Sequence, residues 1–402
     1  MKKLLFTFLL FTALLNFDTK AQEIKSPYQI IPDLYPPKTI RVAFHVIHRD
    51  SLNDSTNIPD DSLANDWWNR RMDSINLYLA EPAQPNYEFY KDFATDSKIR
   101  IKNIGVYHHV DSVLWHNASI PRFYNTFVRD NKDFDILEKD SVLHSFYYGD
   151  DKWGGMSGGI PTRRGMRFKG RWREFYHYRR YEPIGHRKND GNYIHELSHC
   201  LGLYHNYKNS YGDQGTDCSG CDYKLGGICF DVSTLPYAAN NFMSKGGKAA
   251  PGRNSFTHCQ LQRMIYYAYG YDKRVAGRTS DISMCGISES PCTKKYSAVI
   301  KDSTILDYDF KAYGNIEIPS GFVFIVKSKL EMPAGSVINV QPGAQLIIDG
   351  GIISKNSACQ ENWSGVQEQK GSFWWWLFSA DKKKRNRPGE TIILNEGQLL
   401  EN

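Results

Sequence analysis

The segment His195-Glu-Leu-Ser-His199-Cys-Leu-Gly202-Leu-Tyr-His205 carries the most specific pattern in this 402-residue sequence. On a helix, His195 and His199 are four residues apart and project from one face, so two imidazoles can reach one Zn²⁺ ion at about 2.0–2.1 Å. Glu196 directly follows His195, so its carboxylate can contact a water bound to the metal instead of the metal itself. Gly202 permits the left-handed backbone that ends a helix, and the turn lets His205 supply a third ligand. Three protein ligands leave one coordination position open, as a catalytic zinc requires.

Two other interpretations of this segment are a buried helix with hydrogen-bonded histidines and a structural zinc site. A structural zinc site gives no role to Glu196. The pattern resembles that of the metzincin metallopeptidases, and more narrowly that of the pappalysins. The segments that carry this resemblance are Arg41–Ile47, Leu201–His205, Asn241–Met243 and Phe256–Met264, within residues 39–270.

The resemblance implies an α+β catalytic domain with a mixed sheet, an active-site helix and a Met-turn. Met243 is the expected Met-turn residue, forming an apolar floor beneath the metal without binding it. Members of the family commonly carry Tyr two residues after that methionine, where this sequence has Lys245. The family's calcium segment is only partly matched, because its Asp-Thr-Pro is missing. The residues that offer oxygen ligands for Ca²⁺ are Gly212, Asp213, Asp217 and Asp222, with a solvated loop as the alternative.

The function implied is that of a zinc metalloendopeptidase acting on protein or peptide substrates. Zinc lowers the pKa of its bound water toward about 7 and polarises the scissile carbonyl. Glu196 is the expected catalytic base, taking the proton of that water and delivering it to the leaving amine. The competing interpretation is a surface binding protein or adhesin whose metallopeptidase-like domain is inactive.

The N-terminus has the pattern of a secretory signal peptide. Lys2 and Lys3 precede an apolar run over residues 4–17, and Lys20-Ala21 offers a small-residue cleavage site. The run is shorter than the roughly 20 residues needed to span a bilayer. We therefore expect secretion or a cell-surface location without a transmembrane span; a buried first helix is the alternative.

All eight cysteines lie at or after Cys200. In an oxidising compartment they are expected to form disulfides. Cys285 and Cys292 are close enough in sequence to close a small loop. A second group can form two bridges in three connectivities or, as the alternative, a structural zinc site. That group is Cys218, Cys221, Cys229 and Cys259.

Changes in composition and in the pattern of apolar residues divide the chain into five parts. They are a signal peptide (1–21), a leader or short propeptide (22–38), the metallopeptidase domain (39–275), a Cys-containing linker (276–300) and a β-rich repeat module (301–402). In the catalytic part, the patterns predict strands at 40–48, 99–107 and 142–148 and helices at 66–79, at 192–201 and from about 257. Beyond residue 300, alternating apolar residues and Pro/Gly turns predict an all-β module, solenoid-like or a sandwich.

Net charge and clusters of basic and aromatic residues indicate which classes of binding partner the sequence favours. The 50 Lys and Arg residues against 44 Asp and Glu residues leave a net charge of only +6, which does not favour nucleic-acid binding. The basic, aromatic stretch 163–188 is either a solvated face or a border of the cleft that favours acidic or extended substrates. The stretch Phe373–Phe378 either packs against the β-rich module or forms a binding surface for a partner, a glycan or a membrane, and the module as a whole is a candidate for cell-surface or glycan contact.

Overall fold

The computed structural model describes residues 30–52, 57–83, 95–116, 119–130, 142–149, 154–157, 166–169, 187–203, 241–243, 253–256, 258–269, 292, 296–370 and 388–400. The first five strands are β1 (Lys38–His48), β2 (Ile99–Val110), β3 (Leu143–Tyr148), β4 (Gly154–Ser157) and β5 (Met166–Lys169). They form one sheet in the order β2-β1-β3-β5-β4, in which only the β4–β5 pair is antiparallel. The predicted mixed sheet is therefore present, and each predicted strand is found within a few residues of its expected bounds.

The described residues contain five α-helices, which are α1 (Ser62–Ala80), α2 (Ser112–His116), α3 (Ile120–Tyr124), α4 (Arg187–Cys200) and α5 (His258–Ala268). Helix α1 begins four residues before the predicted start because the Asp61 carboxylate accepts a hydrogen bond from the Ala64 amide at 2.7 Å. Within the described residues, none of the helices combines the length and the apolar character that crossing a bilayer requires.

Helices α1 and α4 cover the same face of the sheet. The Phe44 ring on β1 lies 4.6 Å from Trp68 of α1 and 6.1 Å from Tyr193 of α4, measured between ring centroids. Phe168 of β5 stacks on Tyr193 at 5.2 Å. All four side chains are buried, so the sheet and α1 form a rigid base for α4.

The opposite face of the sheet holds a chain of three histidines, of which His45 and His144 are buried and His109 is half-buried. Side chains alternate along a strand, which puts His45 on the other side of β1 from Phe44. Its two ring nitrogens are each 2.9 Å from another imidazole, Nδ1 from His109 Nε2 and Nε2 from His144 Nδ1. A neutral imidazole donates at one nitrogen and accepts at the other, so a neutral His45 can donate to one of these rings and accept from the other.

We expect this histidine chain to make the fold sensitive to acid. Burial, followed by the charges of His144 and His109, lowers the pKa of His45 well below 6.5; burial, followed by His108 and His48, lowers the pKa of His109 to about 4. Between about pH 6.5 and pH 4 the unfolded chain binds protons that the folded chain does not. The free energy of unfolding therefore falls as the pH falls through this window.

Thermal unfolding measured at intervals from pH 7 to pH 4 tests this expectation. His109→Gln keeps a hydrogen-bonding side chain that does not titrate in the window, so its melting temperature should fall less steeply with acid. His116→Gln, an exposed residue of α2, is the matched control and should follow the wild-type curve. If the melting temperatures of the wild type and of His109→Gln fall equally with decreasing pH, His109 does not contribute to the acid sensitivity.

The C-terminal part is all-β, as predicted. Its strands are β6 (Tyr296–Val299), β7 (Thr304–Leu306), β8 (Phe310–Lys311), β9 (Gly314–Ile318), β10 (Val323–Val326), β11 (Lys329–Met332), β12 (Ile338–Val340), β13 (Gln345–Asp349), β14 (Ile352–Lys355), β15 (Val366–Glu368), β16 (Glu390–Leu394) and β17 (Gln398–Leu399). They form three four-stranded parallel sheets, each made from every third strand of the chain. The first strand begins at Tyr296, inside the stretch 276–300 predicted as a linker.

Apolar side chains fill the space between these three sheets. Residues paired in register on neighbouring strands are buried together. Apolar side chains therefore stack on apolar side chains through the interior. These pairs are Ile316 with Ile338, Phe324 with Leu346, and Leu330 with Ile353. The predicted glycine turns are also present, and Gly321 and Gly335 adopt φ values of +89° and +64° that other residues rarely accept.

The Cys292 sulfur pairs with Cys359, which corrects the small Cys285–Cys292 loop expected from sequence proximity. The Cα atoms of Cys292 and Cys359 are 5.2 Å apart although 67 residues separate them in the chain. Pairing of strands from distant parts of the chain brings these residues together, and proximity in sequence is a poor guide in such an architecture. Cys285 lies outside the described residues.

Residues 30–37 join the two halves of the molecule. They fall within the stretch predicted as a leader or short propeptide, yet Tyr35 is only 1% exposed. Its ring lies 5.1 Å from Tyr269, directly after α5, and 5.2 Å from Phe310 of β8. This part of the predicted leader is therefore an integral element of the packed core, and residues 22–29 lie outside the described residues.

Polar contacts fix the same junction. The Gln262 side chain of α5 donates to the Ile30 carbonyl at 2.7 Å, and the Ile31 amide donates to the Tyr308 hydroxyl at 3.1 Å. The Lys98 ammonium donates to the Tyr296 hydroxyl at 3.0 Å. Around these bonds, buried apolar residues form one continuous hydrophobic core from the five-stranded sheet into the parallel strands.

Candidate metal centre and active site

Helix α4 carries three of the predicted site residues, and a glycine turn ends it. Gly202 has φ +88° and donates its amide to the His199 carbonyl at 2.9 Å, while the Leu203 amide donates to the Ser198 carbonyl at 2.9 Å. This pair of bonds is the Schellman motif. A Cβ atom at position 202 would lie 2.2 Å from the Tyr267 ring, so both the backbone and the packing require glycine.

Backbone carbonyls orient both histidines of α4. His195 Nδ1 is 2.7 Å from the Phe242 oxygen, and His199 Nδ1 is 2.7 Å from the Leu203 oxygen. A carbonyl oxygen can only accept, so Nδ1 carries the proton in each ring and a neutral imidazole has its lone pair on Nε2. The turn at Gly202 thus ends α4 and also brings the Leu203 carbonyl within hydrogen-bonding distance of His199.

The two Nε2 atoms point at each other across 3.2 Å. Two lone pairs at this distance repel, whereas a cation between them is attracted to both. Two ligands at 2.0–2.1 Å in tetrahedral directions lie about 3.3 Å apart, which agrees with the observed separation. The donor set therefore fits two ligands of one zinc ion, with the orienting carbonyls that such ligands usually have.

Glu196 and Met243 are both buried, and each directly follows a residue of the His195–Phe242 contact. Glu196 is 8% exposed, next to His195 on α4, and Met243 is completely buried. Met243 follows Phe242, whose carbonyl orients His195, so the predicted Met-turn segment does reach the first histidine. Phe242 and Leu203 have no side-chain signal in the sequence as orienting residues, because their contribution comes from the backbone.

A buried ion pair fixes the start of α4 to α1. The Arg71 Nε atom lies 3.6 Å from the Asp190 carboxylate, and the Ser74 hydroxyl donates to that carboxylate at 2.6 Å. The side chains of Arg71 and Asp190 are 1% and 2% exposed. Asp190 lies five residues before His195, so this pair sets the position of the helix that carries the site.

Several predicted residues lie outside the described part of the chain. They are His205, Lys245, the acidic residues proposed for calcium and the stretch 373–378, together with most of the basic stretch 163–188. Among the described residues, no group of three His, Cys, Asp or Glu side chains is placed to hold a metal ion. His195 and His199 are therefore a converging pair, and the third ligand stays a prediction.

Comparisons with known proteins give distant likeness to two solved structures. The sequence matches no protein-family model and no curated protein. A solved structure of mirolysin in complex with compound 9 has a TM-score of 0.39 and 16% identity, over 62% of this chain and 97% of that chain. A chaperone–substrate complex has a TM-score of 0.33 and 13% identity, over 61% of this chain and 35% of that chain. Because these identities and TM-scores are low, the functional interpretation depends on the geometry of His195, Glu196 and His199.

Proposed function

We propose that this chain is a secreted zinc-dependent endopeptidase. The observation that carries the proposal is the convergence of His195 Nε2 and His199 Nε2 at 3.2 Å, with each Nδ1 directed at a backbone carbonyl. A buried carboxylate, Glu196, stands beside them on α4. Two oriented neutral imidazoles and an adjacent carboxylate are the groups needed for metal-assisted hydrolysis of an amide bond.

His195 and His199 would hold the zinc ion, and His205 is proposed as the third ligand. When bound, zinc supplies Lewis acidity, polarising a carbonyl and making water more acidic. Glu196 accepts the proton of the attacking water and passes it to the leaving amine, which must be protonated before it departs. Met243 closes the region with an apolar side chain.

The finer family assignment, to the pappalysin type of metzincin, rests on the sequence resemblance. The three parallel sheets, each made of every third strand, support a three-sided β-solenoid for residues 296–370 and 388–400. We propose that this module attaches the enzyme to a cell surface or a glycan. The signal-peptide pattern of residues 1–21 supports export.

Metal content and cleavage measured on the same preparation test the proposal. The purified protein should hold one zinc ion, cleave casein and mixed peptides, lose cleavage with a chelator and regain it with Zn²⁺. His199→Gln should lose both zinc and cleavage, whereas His116→Gln, which replaces an exposed histidine, should keep both. Zinc binding without cleavage of any peptide would contradict the peptidase and favour the binding-protein alternative. Absence of zinc from the purified and zinc-treated protein would contradict the metal site.

A further inference from the structure

We infer that Gln260 is a positioning residue for the metal centre, acting on His195 through Asn241 and the Phe242 carbonyl. The inference rests on the proposed function, because it concerns the orientation of a proposed zinc ligand. Gln260 lies in the first turn of α5 and is 5% exposed. The sequence pattern predicts only a helix from about residue 257 here and gives Gln260 no role at the site.

The side-chain amides of Gln260 and Asn241 form a reciprocal pair. Asn241 Nδ2 donates to Gln260 Oε1 at 2.8 Å, and Gln260 Nε2 donates to Asn241 Oδ1 at 3.1 Å. Asn241 Oδ1 also accepts from the Met243 amide at 2.9 Å. Since the Met243 amide can only donate, the atom facing it must be the oxygen of Asn241, and this fixes both amides in one orientation.

That orientation determines where the Phe242 carbonyl points. The Phe242 carbonyl and the Met243 amide belong to one planar trans peptide, so they point in opposite directions. With the Met243 amide held by Asn241, the carbonyl is directed away from Asn241 and meets His195 Nδ1 at 2.7 Å. The Phe242 amide donates to the Ser255 carbonyl at 2.9 Å and holds the other side of the residue.

Loss of the Gln260 side chain should therefore change the orientation of the His195 ring. Without its partner, Asn241 can rotate its amide, the peptide between Phe242 and Met243 is released, and the carbonyl no longer holds the proton on Nδ1. Contacts of this kind that orient a metal ligand typically change metal affinity by about 10–100-fold. Gln260→Glu keeps the shape of the side chain but places a second acceptor oxygen against Asn241 Oδ1, so it should act in the same direction.

The chain offers a matched control on the same helix. Gln262 is two residues further along α5 and donates to the Ile30 carbonyl at 2.7 Å, so it makes a hydrogen bond of the same kind toward a different part of the molecule. Gln262→Leu should therefore reduce stability without changing the metal centre. Gln260→Leu and Gln260→Glu should change both.

The experiment measures the zinc dissociation constant of the full chain by competition with a chelator, and the visible absorption of the Co²⁺-substituted protein. It also measures the ¹⁵N NMR signals of the His195 ring in metal-free protein. We expect both Gln260 variants to weaken zinc binding about 10–100-fold and to lower the Nδ1-protonated fraction of His195, with Gln262→Leu within twofold of wild type. If Gln260→Leu does not fold, the isosteric Gln260→Glu gives the answer.

Equal zinc affinity and equal His195 signals in wild type and the Gln260 variants would overturn the inference. An equal loss of zinc affinity in the Gln260 and Gln262 variants would also overturn it, because it would show a general loss of stability. A wild-type protein that binds no zinc would instead contradict the proposed function. In that case the His195 signals of the metal-free protein still decide whether Gln260 orients the ring.

Discussion

Glu196→Gln is expected to lower kcat/KM for peptide cleavage by about 10²–10⁴-fold, the usual contribution of a positioned general base. Glutamine has the shape of glutamate, but its amide cannot accept the proton of the attacking water. The zinc content should stay at one ion per chain, because His195 and His199 are unchanged. Initial rates on casein and on a fluorogenic peptide library, with metal content measured on the same sample, give both quantities.

A second buried glutamate provides the control for this variant. Glu331 of β11 is 4% exposed and contacts Lys329 and Lys311, far along the chain from α4. Glu331→Gln should leave cleavage at the wild-type level. Wild-type cleavage by Glu196→Gln would show that another group accepts the proton, and would remove the role proposed for Glu196.

The second large effect is expected at the ion pair between α1 and α4. Arg71→Met should lower the free energy of unfolding by about 3–5 kcal/mol, because it leaves the Asp190 carboxylate buried without its charged partner. Urea unfolding at pH 7 measures the change. The double variant Arg71→Met with Asp190→Asn removes both charges and should recover a large part of the loss, since no uncompensated charge remains.

The neighbouring arginine on the same helix gives the matched comparison. Arg70 pairs with Asp66 at 3.0 Å, but these side chains are 56% and 46% exposed. Arg70→Met should change the free energy of unfolding by less than about 1 kcal/mol, as is usual for exposed pairs. Similar losses for Arg70→Met and Arg71→Met, or no recovery in the double variant, would contradict the assignment of the buried pair.

Local patterns in the sequence predicted the parts of the fold that depend on near neighbours. The spacing of His195 and His199 gave the correct face of a helix, Gly202 ended that helix, and loose alternation located β2. These features require only residues a few positions apart. They were predictable because the helix period and the strand period relate residues within one element.

Three of the unpredicted features join residues that are far apart in the chain. Tyr35 packs against Phe310, Cys292 pairs with Cys359, and Gln260 contacts Asn241. Composition and spacing do not say which remote residue fills a given space. The Asn-x-Met order at residues 241–243 did contain a usable signal, because an Asn side chain often accepts from the amide two residues on.

The junction at residues 30–37 bears on the order in which this protein can fold. Ile31 meets Tyr308 across 277 residues of chain, and Ile30 meets Gln262 across 232. Contacts of such long range slow folding, because a large loop must close before they form. The N-terminal half cannot complete its packing until residue 308 has been synthesised.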